Sequence, residues 1–564
     1  MPEIVYGSDY RSPDILPECG FFDYLFGAGP ALQKFDKSLP AYIDGLDGRV
    51  LTRGDVEDSS LRIMGGLRAL GIRRNDVACV WGLNSLEWAR AMYGCLAAGV
   101  TVSPANYAYA AHEIAHQLND SGAGIIFLDP ALVPVFERAR KEIKRPFPNE
   151  RVVLLCKPDR KPKELAQYKA LEEMLGERVP EPEHFTGSQI RDVAILCYSS
   201  GTTGLPKGVM TTQNNMTSQL QALNVGCEPL ESGRDTVLGI LPYSHIYGLT
   251  IVFFQPWTVG VPLVVLPRFE EISVLTAIQK YKITHGLIVP PIIIILLNSS
   301  NVDNYDLSSV RTLMVGAAPT SPELSEAFSR RFPRITLTQG YGMTECSPTT
   351  HICTGAEVTG RAGWIGRLLP TFQARLVMED GEDAPHGERG ELWVRGPSVM
   401  KGYHNNPEAT EKTMAPGGWY KTGDVLIRDE HGWYKVVDRV KELIKYKGFQ
   451  VAPAELEGLL LQHDKVADVG VIGVWDESQA TELPRAYVVA KPTADIKNGA
   501  ARDAFSAEVA AWLAEQVAPH KRLRGGVAVV EAIPKSPSGK ILRKDLRVRA
   551  QAERDAETQL RAKV

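Results

Sequence analysis

The sequence predicts an α/β protein, with a large N-terminal domain of mostly parallel sheets flanked by helices and a small C-terminal α+β domain. At 564 residues the chain is too long for a single hydrophobic core, so more than one domain is expected. Apolar runs of strand length alternate with helical patterns over the first half, which is typical of parallel sheets covered by helices. Near residue 438 this alternation gives way to shorter, charge-rich elements, which indicates a second domain.

The strands of the large domain are predicted from short apolar runs with polar or glycine residues at their ends. These runs cover residues 77–82, 101–106, 124–129, 152–156, 193–198, 236–242 and 263–267. Residues 85–99 between two of them predict a helix, because their apolar residues recur at helical spacing. Residues 287–297 are apolar but contain Pro290 and Pro291, and they are too short to cross a membrane. They predict the end of a strand followed by a core helix.

The small domain is predicted from a change of pattern after residue 420. Residues 420–457 begin as alternating strands with a turn at residues 430–432 and become rich in lysine and acidic residues from Asp438. The elements expected after this stretch are a helix at 454–463, strands at 466–474 and 486–492, a helix near 504–517 and a strand at 527–534. We therefore expect domains 1–437 and 438–564, with a hinge near Lys441.

Composition excludes several classes of protein. A net charge of −4 gives no electrostatic reason to expect nucleic acid as a partner. The eight cysteines are scattered and form no CxxC pair, which favours reduced thiols inside a cell over a zinc site or a disulfide framework. The N-terminus has no secretory signal pattern, and no transmembrane segment is expected. We expect a cytoplasmic protein, monomeric or homodimeric; the terminal Ala562-Lys563-Val564 resembles a peroxisomal address only weakly.

The stretch YSSGTTGLPKGV, residues 198–209, predicts a phosphate-binding loop. It directly follows the apolar run 193–198, and ligands of open α/β sheets lie at strand ends. Its glycines let backbone N–H groups approach an anion, and its Ser and Thr hydroxyls add donors. It is not a Walker A loop, because Lys207 lies between Pro206 and Gly208. The alternative of a solvated linker is disfavoured by the preceding strand and by the rigid Leu-Pro-Lys-Gly ending.

Further motifs follow in order: LPYSHIYG (241–248), VGAAP (315–319), QGYGMTE (339–345), YKTGD (420–424), DRVKELIKYKGFQVAPAELE (438–457) and PKSPSGKILRK (534–544). With these motifs the chain resembles the adenylate-forming superfamily of acyl- and aryl-CoA synthetases, adenylation domains and luciferases, most closely the 4-coumarate–CoA ligases. The resemblance covers nearly the whole chain. It implies a distorted barrel subdomain in the large domain and mobility of the small one. It also implies ATP, CoA and a small carboxylic acid as substrates, and Mg²⁺ as the cofactor.

The resemblance implies a nucleotide site built from most of these motifs. The residues implied for ATP and AMP binding are Ser199, Ser200, Gly201, Thr202, Thr203, Gly204, Lys207, Gly316, Ala317, Ala318, Pro319, Gln339, Gly340, Tyr341, Gly342, Thr344, Asp424, Arg439 and Lys540. Glu345 is implied as the magnesium ligand, which suits a hard cation that prefers few carboxylates plus phosphate oxygens. Asp424 would accept hydrogen bonds from both ribose hydroxyls. An ion pair with Glu442 is the alternative role of Arg439.

The resemblance also implies catalytic, acyl-binding and CoA-binding residues. The implied catalytic residues are Lys540, Lys445, His245 and Thr344, and the acyl pocket would contain Tyr243, His245, Gly316, Gly340, Pro348 and Thr349. Lys540 would bridge the substrate carboxylate and the α-phosphate, and Lys445 would replace it when the small domain rotates about Lys441. CoA would contact Lys445, Lys447, Gly448 and Phe449. For His245, a buried structural role is the alternative.

These features predict an ATP- and magnesium-dependent acid–CoA ligase that forms an acyl-adenylate and then a thioester of an aryl-propenoic or medium-chain fatty acid. Within the superfamily, the alternatives are a stand-alone adenylating enzyme that loads a carrier protein, or a luciferase-like oxygenase. The sequence shows no carrier domain, which favours free CoA as the thiol. A non-catalytic nucleotide-binding homologue is the alternative of another class. Such a protein is expected to have lost Lys540, Glu345 or Asp424, and all are present.

Overall fold

A computed structural model describes most of the chain, and everything below concerns those residues. They are residues 3–13, 18–27, 35–199, 206–318, 320, 322–358, 360–439, 442–446, 449–477, 479, 481–517, 519–535 and 539–561. We call the described residues up to 439 the body and those from 442 onwards the C-terminal module.

The first sheet of the body is seven-stranded. In spatial order its strands are Lys207–Thr212, Val193–Ser199, Thr101–Ala105, Val77–Trp81, Ile125–Leu128, Val152–Leu154 and Lys169–Ala170. Lys207–Thr212 and Val193–Ser199 pair antiparallel, whereas the other neighbours are parallel. The antiparallel register places Lys207 opposite Ser199. The two residues that border the glycine-rich stretch therefore lie side by side at one end of the sheet.

The second sheet of the body contains fifteen of the described strands. In spatial order they are Tyr6–Gly7, Gln373–Val377, Gly390–Arg395, Trp419–Arg428 with Met414–Ala415 beside it, Trp433–Arg439, Gly366–Leu368, Thr349–Ile352, Thr336–Gly342, Thr312–Val315, His285–Ile288, Val237–Gly239, Leu263–Val265, Pro40–Asp44 and Val50–Thr52. The run from Thr336–Gly342 to Pro40–Asp44 is parallel, and the remaining pairs are antiparallel. Parallel neighbours end at the same edge, so their terminal loops meet there.

Helices cover both sheets. The α-helices described in the body are Phe21–Leu25, Arg53–Ala69, Leu86–Ala97, Ala111–Ser121, Val133–Ala139, Gln213–Gly226, Gln255–Thr258, Glu271–Tyr281, Pro290–Asn298, Pro322–Arg331 and Pro407–Thr413. Leu86–Ala97 begins where Ser85 Oγ accepts the Trp88 N–H at 3.1 Å, an N-cap. The segment Gly248–Phe254 is π-helical and completely buried. No described helix combines the length and apolarity of a membrane span.

The C-terminal module has its own core and sheet. A three-stranded sheet consists of Val466–Asp476, Thr481–Ala490 and Val527–Val529, and Ile444–Tyr446 pairs with Phe449–Val451 as a hairpin. The helices are Pro453–Leu460, Gly499–Gln516 and Arg543–Arg561. Next to the predicted hinge, Leu443 and Ala452 of the module pack with Val425 and Val437 of the body. Lys441 itself lies outside the described residues.

The predicted fold class is confirmed, and most predicted elements are found within two or three residues. Each of the seven apolar runs forms a strand, and residues 287–297 form a strand end and the helix Pro290–Asn298. The long helix Arg543–Arg561 was not predicted, because it is strongly charged and offers few apolar residues to mark a period.

Candidate active site

One cluster of side chains lies where the glycine-rich stretch leaves the first sheet. Ser199 Oγ donates to Glu345 Oε1 at 3.1 Å, and the Tyr403 hydroxyl donates to the same oxygen at 2.8 Å. Lys207 Nζ lies 4.9 Å from the centroid of the Tyr403 ring. Burial and the Glu345 carboxylate raise the pKa of Tyr403 above its usual value, so its hydroxyl stays protonated as a donor. The cluster joins a cation, hydroxyl donors and one carboxylate at the strand end.

The donor set around Glu345 fits a magnesium–polyphosphate complex. Among the described residues, no group of three or more His, Cys, Asp or Glu side chains converges as a metal site of its own. Glu345 is a single carboxylate, 8% exposed, beside the residues that border the predicted phosphate loop. Mg²⁺ is usually held by one or two carboxylates together with phosphate oxygens and water.

A second cluster forms around Asp424. Tyr341, on the strand Thr336–Gly342, donates its hydroxyl hydrogen to Asp424 Oδ2 at 2.6 Å. The turn before Asp424 is fixed because Gly423 has φ +73° and donates its N–H to Glu391 Oε1 at 2.9 Å. Arg439 lies opposite Asp424 in the antiparallel register, and only its backbone is described. The side chains of Tyr341 and Asp424 and the backbone of Arg439 thus lie together, and their role in binding a nucleotide stays a prediction.

Glycines lie at the strand ends next to these clusters, and we call the space beside Gly316, Gly340 and Gly342 the cleft. A Cβ at Gly342 would lie 2.2 Å from the Pro348 carbonyl oxygen, so no side chain fits there. A Cβ at Gly316 would lie 3.1 Å from Tyr247 Cζ, whereas one at Gly340 would lie at ordinary contact distances, 3.6 Å from Met314 Sδ and 3.7 Å from the His351 carbonyl oxygen. Other predicted nucleotide-binding residues follow along the same edge. Ala317 is exposed and has a φ of +66°, and Ala318, Gln339 and Thr344 are half-buried.

His245 and Lys540 come together from the body and the C-terminal module. His245 Nδ1 accepts the Tyr247 N–H at 3.2 Å, which leaves Nε2 to carry the proton of the neutral ring. Surrounding protein, and secondly the positive charge of Lys540, lower the pKa of His245 to about 4. The His245 side chain is exposed, and the Lys540 charge acts on its pKa in the same direction as the surrounding protein. Beside Lys540, a Cβ at Gly539 would lie 2.9 Å from Pro291 Cγ.

The tyrosines near the predicted acyl pocket lie in different surroundings. Tyr243 is 1% exposed, and its ring packs against Trp88 and Phe253 at 5.3 and 5.0 Å between centroids. It is therefore a residue of the aromatic core. Tyr247, which the motif analysis did not single out, borders Gly316 and donates its hydroxyl to the Met314 carbonyl at 3.4 Å.

Pro348 and Thr349 lie behind Gly342. The Pro348 carbonyl accepts the Met343 N–H at 2.9 Å, and the Thr349 carbonyl accepts from Gln219 Nε2 at 2.9 Å. Thr349 is 3% exposed. Their backbone thus shapes the cleft wall, and contact of their side chains with an acyl group stays a prediction.

Several predicted site residues lie outside the described part of the chain, namely Ser200, Gly201, Thr202, Thr203, Gly204, Pro319, Lys441, Lys447 and Gly448. For Lys445 and Phe449 the backbone alone is described, in the hairpin where Lys445 pairs with Gln450. Glu442, the alternative partner of Arg439, accepts a hydrogen bond from Arg543 Nη1 at 2.6 Å.

Known proteins resemble this chain over nearly its whole length. Residues 32–404 match the family model described as AMP-binding enzyme, and residues 455–540 match the AMP-binding enzyme C-terminal domain. The probable 4-coumarate–CoA ligase 1 of Dictyostelium discoideum is 38% identical over 516 residues, 90% of this chain and 91% of that protein. The 4-coumarate–CoA ligase 2 of Nicotiana tabacum is 38% identical over 521 residues, 91% of this chain and 92% of that protein.

A solved enzyme shares the fold. The o-succinylbenzoate CoA synthetase of Bacillus subtilis, in complex with ATP and a magnesium ion, is 27% identical with a TM-score of 0.76, covering 93% of this chain and 98% of that one. The same enzyme in complex with its acyl-adenylate intermediate has a TM-score of 0.77 at 27% identity, covering 94% and 98%.

Proposed function

The chain belongs to the AMP-binding enzyme family, and from this membership we propose that it is an ATP- and magnesium-dependent acid–CoA ligase. It forms an acyl-adenylate and then an acyl-CoA thioester, with AMP and pyrophosphate as the other products. One observation carries the proposal. Lys540 of the C-terminal module lies near enough to His245 of the body for its charge to lower the pKa of that ring.

In the first step, a carboxylate oxygen of the acid attacks the α-phosphate of ATP and pyrophosphate leaves. Lys207 and Ser199 bind on the phosphate side, and Asp424 with Tyr341 holds the ribose. Mg²⁺ bound at Glu345 would neutralise charge on the triphosphate and on the departing pyrophosphate. Lys540 places a positive charge between the carboxylate and the α-phosphate, where negative charge accumulates. Neutral His245 orients the carboxylate through its Nε2–H.

In the second step, the CoA thiol attacks the acyl carbonyl and AMP leaves. We propose that the domains meet at residues 437–438 and that the C-terminal module rotates about Lys441 so that Lys445 replaces Lys540. Lys447, Gly448 and Phe449 would then contact CoA. We assign the arrangement in which Lys540 lies near His245 to the first step.

The acid is proposed to be an aryl-propenoic or medium-chain fatty acid. Two relatives named as 4-coumarate–CoA ligases support the aryl-propenoic class, because each covers nine tenths of this chain. Gly316 and Gly340 carry no side chains, and the Tyr247 ring lies beside Gly316, so the space next to these glycines suits a flat or extended acyl group. Tyr243 packs in the aromatic core, and its contact with the acyl group stays a prediction.

Product analysis tests the proposal. The purified protein is incubated with ATP, Mg²⁺, CoA and a panel of aryl-propenoic and medium-chain acids, and AMP, pyrophosphate and thioester are quantified. Lys540→Ala is the inactive comparison, and Lys412→Ala, on an exposed helix, is the matched control. We expect equimolar AMP and thioester with at least one acid. Adenylate without CoA thioester would indicate a carrier-loading enzyme, oxygen consumption an oxygenase, and nucleotide binding without turnover a non-catalytic homologue.

A further inference from the structure

Both described ends of the predicted phosphate loop contact one helix of the body, Ala111–Ser121. At the end that enters the loop, the Tyr198 hydroxyl donates to Asp120 Oδ2 at 2.6 Å. At the end that leaves it, the Pro206 carbonyl lies 3.2 Å from His116 Nε2. A carbonyl oxygen can only accept, so His116 is the donor of that bond. His116 and Asp120 are four residues apart and therefore lie on the same face of the helix.

These two bonds fix the residues next to them in the chain. Successive side chains of a strand lie on opposite faces of the sheet. Tyr198 accordingly contacts the helix, whereas Ser199 donates to Glu345. On the neighbouring strand, Lys207 lies opposite Ser199 and directly follows Pro206. The helix thus holds, through their neighbours, the two residues that carry a hydroxyl and a cation into the cluster around Glu345.

The last turn of the same helix holds a third part of this cluster. The Asp120 carbonyl accepts hydrogen bonds from His404 Nε2 and from Asn405 Nδ2, each at 3.1 Å. Carbonyls in the last turn of a helix have no partner within the helix, so they are free to accept from outside it. Tyr403, which precedes these two residues, donates its hydroxyl to Glu345. Three donors or cations of the cluster are therefore tied to one helix.

The helix is itself fixed to the first sheet. Gln117 is 1% exposed, and its Nε2 donates to Ser103 Oγ at 2.9 Å and to the Pro104 carbonyl at 3.2 Å. Ile114 and Leu118 belong to a buried hydrophobic cluster that covers the sheet. The polar face that carries His116 and Asp120 therefore has a defined position relative to the strands.

Helix stability does not explain why residue 120 is an acid. Asp120 lies in the last turn, where the partial negative charge of the helix end disfavours a carboxylate. The benefit lies in the contact with Tyr198. Burial, together with the Asp120 carboxylate, raises the pKa of Tyr198, so its hydroxyl stays protonated and donates.

We propose that Asp120 and His116 are positioning residues for the triphosphate of ATP. They act through Tyr198, Pro206 and the segment after Tyr403, and they set the relative positions of the groups around Glu345. The inference rests on the proposed ligase function and assigns these residues to one half of it. Only the first half-reaction uses a triphosphate, so the helix contacts are required for adenylate formation and not for transfer of the acyl group to CoA.

Separate assays of the two half-reactions test the inference. Asp120→Ala, Tyr198→Phe and His116→Ala should each lower acid-dependent ATP–pyrophosphate exchange by about 10–100-fold, the range for residues that orient the groups in contact with a substrate. The loss should lie in kcat/KM for ATP, with the KM for the acid near its wild-type value. Conversion of supplied acyl-adenylate and CoA to thioester should be unchanged.

Conservative variants separate positioning from folding. Asp120→Asn keeps an acceptor for Tyr198, and His116→Gln keeps a donor for Pro206, so both should retain most of the exchange activity. His112→Ala, on the exposed side of the same helix, is the matched control. Asp120→Ala should have little further effect in the Tyr198→Phe background, because the bond between the two side chains is already lost.

The outcomes distinguish this inference from the ligase proposal. The inference is overturned if Asp120→Ala and His116→Ala keep wild-type exchange, if both half-reactions fall equally, or if Asp120→Ala and Tyr198→Phe have fully additive effects. Binding of ATP with Mg²⁺, measured by calorimetry, needs no turnover. If the wild-type protein binds ATP but activates no acid, the ligase proposal fails; weaker binding in Asp120→Ala then still supports the inference, and unchanged binding overturns it. If the wild-type protein binds no ATP, both fail.

Discussion

Glu345 is the single residue on which the proposed first step depends most. The Glu345→Gln variant keeps an acceptor oxygen for Ser199 and Tyr403 but removes the negative charge that would bind Mg²⁺. We expect acid-dependent ATP–pyrophosphate exchange to fall by about 100-fold or more, while the thermal unfolding temperature changes little. Exchange is measured over a magnesium titration. A variant that keeps exchange near the wild-type level at every magnesium concentration would show that Glu345 is not the metal ligand.

The pKa of His245 reports whether Lys540 is docked in solution. The His245 pKa is lowered to about 4, below the ordinary value of about 6.5. The ring is therefore neutral at pH 6–8. Because the unfolded chain binds this proton more readily than the folded protein, the stability of the fold decreases as pH falls from about 6.5 through 4. Lys540→Met removes the neighbouring positive charge, so we expect the His245 pKa to rise. NMR titration measures it, with the exposed Lys544→Met as control. An unchanged pKa in Lys540→Met would place Lys540 elsewhere.

Motifs marked the charged candidates of the site and Tyr341, but not Tyr403 or Tyr247. Asp424, Glu345 and His245 lie in glycine- or proline-bordered stretches whose order along the chain is informative. Tyr403 contacts Glu345 across 58 residues of sequence, and no local pattern marks that contact. Tyr243 and Tyr247 lie in the same motif, which does not indicate which of the two rings lies beside Gly316. The packing of the folded chain places Tyr247 there and Tyr243 against Phe253.

At the level of secondary structure, two strands of the second sheet approach each other so closely that the position between them must be a glycine. A Cβ at Gly342 would overlap the Pro348 carbonyl at 2.2 Å, so Gly342→Ala must push Thr336–Gly342 and Thr349–Ile352 apart. We expect a loss of about 1–3 kcal/mol in the free energy of unfolding, typical of overpacking, measured by denaturant titration. Gly340→Ala is the matched control, because its Cβ would meet Met314 Sδ at an ordinary 3.6 Å. Equal losses in both variants would contradict this interpretation.

Most of the parallel strands were predicted from the sequence, whereas most antiparallel strands were not. Strands such as Ile125–Leu128 and Val152–Leu154 are buried along their whole length, so each appears in the sequence as a continuous apolar run. Gly390–Arg395 alternates buried with half-buried residues and contains charged side chains. Short alternating stretches of this kind resemble loops, and their pairing depends on strands far away in the sequence.

For the protein as a whole, the proposed rotation of the C-terminal module requires that the module move as one body. Arg543 binds Glu442 next to the hinge at 2.6 Å and Glu457 of the helix Pro453–Leu460 at 2.6 Å. All three side chains are nearly buried, so the segment that carries Lys540 is fixed to the start of the module.

Two lysine variants should therefore show opposite defects. Lys540→Ala is expected to abolish acid-dependent pyrophosphate exchange but to convert supplied acyl-adenylate and CoA to thioester. Lys445→Ala is expected to keep the exchange and to lose thioester formation. Each half-reaction is assayed separately. Equal impairment of both half-reactions in both variants would mean that the lysines act in one fixed site, without rotation.

The domain order and the module's α+β character followed from the sequence, because both depend on local patterns. The contacts by which the module packs on the body could not be predicted from the sequence. They include the close approach of Gly539 to Pro291 and the hydrogen bond from Gln462 to Glu323, which no local sequence pattern marks.

Transfer of labelled oxygen tests the acyl-adenylate route most directly. An acid labelled with oxygen-18 in its carboxyl group is incubated with the protein, ATP, Mg²⁺ and CoA, and the products are examined by mass spectrometry. If a carboxylate oxygen attacks the α-phosphate and the thiol then displaces AMP, one labelled oxygen must appear in the phosphate of AMP, and none in pyrophosphate. Thioester formation with unlabelled AMP, or with ADP and labelled inorganic phosphate, would contradict the proposed mechanism.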